Sequence, residues 1–198
     1  MVVRSVDVNF ELEFMPRLGR RARGFKILFD HLRKRAAAKA DLVMVETGCI
    51  RPRHGALAWA AAGCSSILFD AFAAETKARF TSIDNDKDNC AWARKHCPHA
   101  TIICGDSVRT LYELRKKIER IDLLYLDSYD VEWGAPHSSA LHHLNELCAA
   151  SRMLTRGSLV FIDDNTASSV KGLYIRQYMQ SIGARQICED HQIGFVMP

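Results

Sequence analysis

The chain has no long apolar run. Stretches such as 56–62 and 159–162 fall far below the ~18–20 consecutive apolar residues that cross a bilayer, so no membrane span is expected. The N-terminus carries Asp7, Glu11 and Glu13 where a secretory signal needs an uninterrupted apolar core, so a cytoplasmic location is expected. No repeat, low-complexity tract or Pro/Gly/Ser-rich linker divides the sequence, so residues 1–198 read as a single domain. The seven cysteines are an odd number, and several sit inside apolar runs, which argues for reduced thiols and against a disulfide framework. Cys90, His96, Cys97 and His99 lack a paired C-x-x-C, so a structural zinc site is not expected either.

What is present is ordinary soluble-domain material: 48% hydrophobic residues, enough for a real core, and 25% charged residues. The formal net charge is only +4, and much of it comes from two short runs, 17–23 and 31–35. A solvated helix face is the commoner reason for such runs, so a nucleic-acid partner is not expected. A small-molecule substrate is the expected partner, and a homodimer is left open.

Apolar positions Phe25, Leu28, Phe29 and Leu32 recur at helical spacing, and predict a helix over 24–38 in a lead-in formed by residues 1–40. From residue 41 the runs LVMVETG, ARFTSIDND, ATIICGDS, IDLLYLDSYD and GSLVFIDDN alternate with helical segments from about residue 65, over 91–95, 108–118 and 138–151, and then 171–179. Strands apolar on both faces and alternating with helices predict a parallel sheet covered on both sides. The last two strand-like runs, in ARQICEDHQIGFVMP, are too close for a crossover and predict an antiparallel hairpin. The fold class is therefore α/β: a Rossmann-like three-layer sandwich over 41–198, with a mostly parallel seven-stranded sheet ending in an antiparallel hairpin.

Ligands of open α/β sheets bind beyond the carboxyl ends of the strands, where the strand order reverses. Each parallel strand ends in an acid: Glu46 before Thr47 and Gly48, then Asp84, Asp106 before Ser107, Asp127, and Asp163 with Asp164. One such acid is usually a turn or N-cap residue. Five strand ends of this kind on one rim call for a ligand rich in donors, a cation, or both. The loop Gly48-Cys49-Ile50-Arg51-Pro52-Arg53-His54-Gly55 lacks the G-x-G-x-x-G that lets a pyrophosphate approach the backbone, which disfavours a nicotinamide-dependent oxidoreductase. A nucleoside without a pyrophosphate suits the rim better.

The order Glu46-Thr47-Gly48, Gly63-Cys64-Ser65-Ser66, Asp84-Asn85-Asp86, Gly105-Asp106-Ser107, Leu126-Asp127-Ser128 and Asp163-Asp164-Asn165 resembles the class I S-adenosylmethionine-dependent methyltransferases, in particular small-molecule and sugar O-methyltransferases. The resemblance implies that Glu46 and Gly48 contact the methionine part of S-adenosylmethionine, Asp84 its ribose, and Asp106 with Ser107 its adenine side. Ser65 and Ser66, at a helix N-terminus, are candidates for its carboxylate. It further implies that Asp127, Asp163 and Asp164 hold Mg²⁺ or another divalent cation that prepares a substrate hydroxyl, an all-oxygen donor set suited to such ions. The long segment 49–62 departs from the usual glycine turn, and Trp59 within it is a candidate lid residue. Asp127 and His137 are the candidate catalytic groups; His142 and His143, pointing about 100° apart on one helix, cannot both serve one site. The expected activity is methyl transfer to a small-molecule hydroxyl. A non-catalytic nucleoside- or partner-binding module is the other alternative.

Overall fold

The computed structural model of the protein describes residues 10–38, 41–52, 64–131, 135–166 and 170–198. A π-helical turn, Phe10–Phe14, and two 3-10 turns, Met15–Arg17 and Gly19–Arg21, lead into helix α1, Ala22–Ala38. The order is then β1 Val43–Thr47, α2 Ser65–Thr76, β2 Arg79–Asp84, α3 Lys87–His96, β3 Thr101–Cys104, α4 Ser107–Leu114, β4 Ile121–Leu126, α5 Pro136–Ala150, β5 Leu154–Ile162, α6 Leu173–Ser181, β6 Arg185–Glu189 and β7 Ile193–Val196. The seven strands form one sheet in the order β3-β2-β1-β4-β5-β7-β6. β1 pairs in parallel with both β2 and β4, so the chain reverses direction across the sheet between β1 and β4. β7 lies antiparallel to both β5 and β6, which is the expected terminal hairpin.

Alternation along the central strands builds two cores. Met44, Leu123, Tyr125 and Phe161 face α1 and α2, meeting Phe25, Phe29, Phe69 and Phe72. Their neighbours Val45, Leu124, Leu126 and Ile162 face the other way, onto Leu111 of α4, Leu147 of α5 and Ile175 with Met179 of α6. β1 and β4 are buried at every position, whereas β3 at the sheet edge is not. Each fully buried Phe of the first core contributes about 1.5–3 kcal/mol, so the aromatic face of α1 anchors the lead-in firmly.

Two helix ends differ by four residues from the sequence-based expectation, the others by two or fewer. α3 starts at Lys87 because the Asp86 carboxylate caps it, accepting from the Asp88 and Asn89 N–H groups at 2.8 and 2.9 Å. α4 ends at Leu114 because the 3-10 bonds Lys116 N–H to Glu113 and Lys117 N–H to Leu114 tighten the turn that follows. All seven cysteines are free thiols, five of them buried. Among the described residues no helix is long and apolar enough to cross a membrane.

Candidate active site

A cleft of about 280 Å³ opens at the carboxyl ends of β1, β2 and β4, where the strand order reverses. Gly48, Asp84, Asp106, Ser107 and Asp127 line it, together with Arg51, Ser128, Tyr129, Asp130 and His142. Of the residues expected from sequence, these five are brought together. Glu46, Ser65 and Ser66 are wholly buried and lie outside the lining.

Gly48 has φ +81°, and a Cβ there would sit 2.5 Å from the Asp127 carbonyl oxygen, so only glycine fits this turn. The close approach brings the end of β1 against the end of β4. Asp84 stabilises the same turn: its Oδ2 accepts from Cys49 N–H at 3.0 Å and its Oδ1 from Asp86 N–H at 2.8 Å. Asn89 Nδ2 makes longer contacts to both oxygens, at 3.4 and 3.5 Å, and the carboxylate lines the cleft. Asp106 caps α4 through Arg109 N–H at 2.8 Å while also facing the cleft.

Beneath the floor, Glu46 Oε2 accepts from Ser66 Oγ and Ser82 Oγ, each at 2.6 Å, and Ser66 Oγ in turn accepts from Ile50 N–H at 3.0 Å. Burial pushes the Glu46 carboxyl up to about 7. These contacts make Glu46 and Ser66 supports of the loop after β1. The remainder of that loop, including Trp59 and Gly63, lies outside the described residues, as do Glu132 and Trp133.

Across the mouth, Arg51 and Asp130 form a two-point ion pair at 2.6 and 2.7 Å. On the far wall, His142 Nε2 lies 3.1 Å from Ser107 Oγ and 3.3 Å from Glu146 Oε1, which also accepts from Ser128 Oγ at 2.6 Å. The Glu146 hydrogen bond holds the His142 imidazolium form above its ordinary range, against the effect of burial. His143 points the other way, is fully buried with Nδ1 2.7 Å from the Ser139 carbonyl, and burial lowers it to about 4. His137 is exposed, 2.9 Å from the Tyr174 hydroxyl, and does not line the cleft. Sequence reasoning favoured His137 over His142. The deciding signal was available: His143 falls on the Ala140-Leu147-Ala150 apolar stripe, which turns His142 outward, and Glu146 stands four residues from it.

The three carboxylates expected to hold a cation end β4 and β5 side by side. Lys171, wholly buried, places Nζ 3.3 Å from Asp127 Oδ1 and 3.1 Å from Asp164 Oδ2. The Arg21 guanidinium bonds Asp163 Oδ2 and lies 3.6 Å from Asp127 Oδ2. Tyr125 donates to Asp163 Oδ2 at 2.7 Å and accepts from Gln192 Nε2 at 2.6 Å. His191 Nε2 stands 3.2 Å from Asp164 Oδ1. Burial and the neighbouring Asp163 push the Asp127 carboxyl up to about 8, against the pull of Lys171 and Arg21. Among the described residues, the group whose donor atoms converge within 4.8 Å is Asp163, Asp164 and His191, without Asp127. Neither Arg21 nor Lys171 was foreseen as part of the site.

No family model and no curated protein sequence matches the chain. Solved structures do. CalS11, a TDP-rhamnose 3'-O-methyltransferase of calicheamicin biosynthesis, aligns over 99% of this chain and 88% of its own, at 16% identity and a TM-score of 0.61. MycE, a methyltransferase of the mycinamycin pathway in complex with Mg and SAH, aligns over 84% of this chain at 12% identity and a TM-score of 0.58; the match spans only 47% of MycE. A putative ribosomal RNA methyltransferase from Plasmodium falciparum aligns over 89% of this chain and 96% of its own, at 13% identity and a TM-score of 0.52. The fold is thus the Rossmann-like fold that class I methyltransferases share.

Proposed function

We propose that the protein transfers the methyl group of S-adenosylmethionine to a hydroxyl oxygen of a small molecule. The observation that carries this reading is the polar cleft at the strand-order reversal, with Gly48, Asp84, Asp106, Ser107 and Asp127 on its walls. Asp84 is assigned to the ribose hydroxyls, Asp106 and Ser107 to the adenine side, and the Gly48 turn to the methionine part. The fold shared with CalS11 along nearly the whole chain supports an O-methyl transfer.

In the transfer, a lone pair of the substrate oxygen attacks the methyl carbon in line. The carbon–sulfur pair goes to sulfur, leaving neutral S-adenosylhomocysteine. The hydroxyl proton goes to the ionised form of Asp127, whose carboxylate faces the cleft; a carboxyl raised to about 8 makes that form a stronger base, and its fraction grows as pH rises through about 8. Most of the acceleration comes from holding the two reactants aligned. A divalent cation does not fit beside Asp127 and Asp164, whose oxygens already meet an ammonium at 3.3 and 3.1 Å, and no step is routed through one.

Calorimetric titration with S-adenosylmethionine, S-adenosylhomocysteine and NAD⁺ tests the reading. Wild type is expected to bind both sulfur compounds and not NAD⁺, with affinity falling at least ~10-fold, about 1.4 kcal/mol, in Asp84→Asn. Absence of binding of either sulfur compound to the folded wild type would sink it.

A further inference from the structure

The acid cluster at the ends of β4 and β5 carries its own positive charge. Lys171 is delivered by a loop shaped to turn it inward: Val170, just before it, has φ +35°, and Gly172, just after it, has no room for a Cβ, which would meet Ile193 Cγ2 at 2.6 Å and Asn165 Oδ1 at 2.9 Å. Asp164, one of its two partners, also takes a left-handed backbone, φ +49°. Strained positions on both sides of the contact indicate an ammonium held there by construction.

We propose that Lys171, with Arg21 beside it, takes the place of a divalent cation, so that Asp127, Asp163 and Asp164 bind no metal ion and the site works without one. Mg²⁺ demands oxygen ligands at about 2.0–2.1 Å in a near-octahedral array. Asp127 Oδ1 and Asp164 Oδ2 converge instead on Lys171 Nζ, Asp163 Oδ2 is taken by Arg21 and Tyr125, and of the oxygens that converge with His191, Asp163 Oδ1 accepts from Asp164 N–H at 2.9 Å and Asp164 Oδ1 meets His191 Nε2 at 3.2 Å. Two fixed cations already offset the three acids, where a metal centre built on the same acids would leave their charge to the ion. A dication would have to enter within a few ångströms of an ammonium that is itself wholly buried, where like charges repel strongly. Lys171 is a positioning residue: it touches Asp127, which faces the cleft, and does not itself line the cleft. MycE, by contrast, is a fold neighbour whose structure holds Mg.

Only the statement that methyl transfer needs no cation rests on the function proposed above; the charge replacement itself does not. The test is a titration with Mn²⁺, followed by electron paramagnetic resonance, on protein stripped by chelator, and it requires neither cofactor nor acceptor. Wild type is expected to take up no stoichiometric Mn²⁺ up to ~1 mM. Lys171→Ser, which removes the charge and opens its volume, is expected to gain one Mn²⁺ and to melt at a higher temperature with Mn²⁺ than without it. Lys171→Arg should do neither. One-to-one Mn²⁺ binding by wild type, lost on Asp164→Asn, overturns the proposal, as does a folded Lys171→Ser that takes up no Mn²⁺. Should Lys171→Ser fail to fold, the wild-type titration decides alone. A wild type that binds S-adenosylhomocysteine yet also binds Mn²⁺ would leave the methyl-transfer reading standing while removing this one.

Discussion

Glu46, one residue before the end of β1, has no exposure to solvent, and its Oε2 accepts from Ser66 and Ser82. Its Oε1 has no hydrogen-bond partner among the described residues. Burial raises its carboxyl from the ordinary 4.5 to about 7, so the folded protein holds this proton more tightly than the unfolded chain does. The sign follows: the contribution is fully present below the unfolded value and is lost as pH rises through about 7. Wild type should therefore lose stability from about pH 4.5 up to about pH 7, at up to about 1.4 kcal/mol per pH unit between those values and with a slope that fades above 7, and Glu46→Gln should remove that part of the slope. Urea unfolding of both proteins across this range measures it. Parallel slopes would mean that Glu46 is already ionised in the fold.

At the scale of elements, α1 is tied to the sheet at both of its ends. Near its C-terminus, Arg35 bonds the wholly buried Asp122 of β4 at 2.6 Å and the Gly157 carbonyl of β5 at 2.6 Å. Just before its N-terminus, Arg21 bonds Asp163 at the opposite end of the sheet. Arg35→Met leaves Asp122 with Val43 N–H at 3.0 Å and the more distant Arg120 Nε at 3.6 Å. Arg35 is a quarter exposed, so a loss of about 2–3 kcal/mol is expected, below the full cost of stranding a buried charge. A loss under ~0.5 kcal/mol in urea unfolding would show that Arg120 is partner enough. These pairs mark the limit of what the sequence discloses. Strand order, sheet faces and strand-end acids follow from apolar period and spacing, which are local. Arg21 meets an acid 142 positions away and Lys171 one 44 positions away, and no local pattern announces either. The basic run 17–23 read as a solvated face, yet its Arg21 is buried. Ser65 and Ser66 read as candidates for the cofactor's carboxylate, and only packing puts them under the floor.

For the molecule as a whole, the relevant contrast is between a small ligand filling the cleft and a polyanion lying on the surface, because one fold neighbour is a putative ribosomal RNA methyltransferase. The surface argues for the former. Arg21 is committed to Asp163 and Arg51 to Asp130, which takes two cations out of any basic patch near the cleft and, among the described residues, leaves a rim on which Asp84, Asp86 and Asp106 stand. Phosphates approaching such a rim meet repulsion, whereas a nucleoside with hydroxyl and amine donors meets acceptors. S-adenosylhomocysteine at ~100 times its dissociation constant should stabilise the fold by about 2.7 kcal/mol, which for a domain of this size raises the melting temperature by roughly 5–10 °C. Structured RNA at ~0.1 M salt should leave it unmoved, because non-specific binding to so weakly basic a protein is slight. A melt that responds to RNA and not to S-adenosylhomocysteine would reverse the assignment of partner while leaving the fold intact.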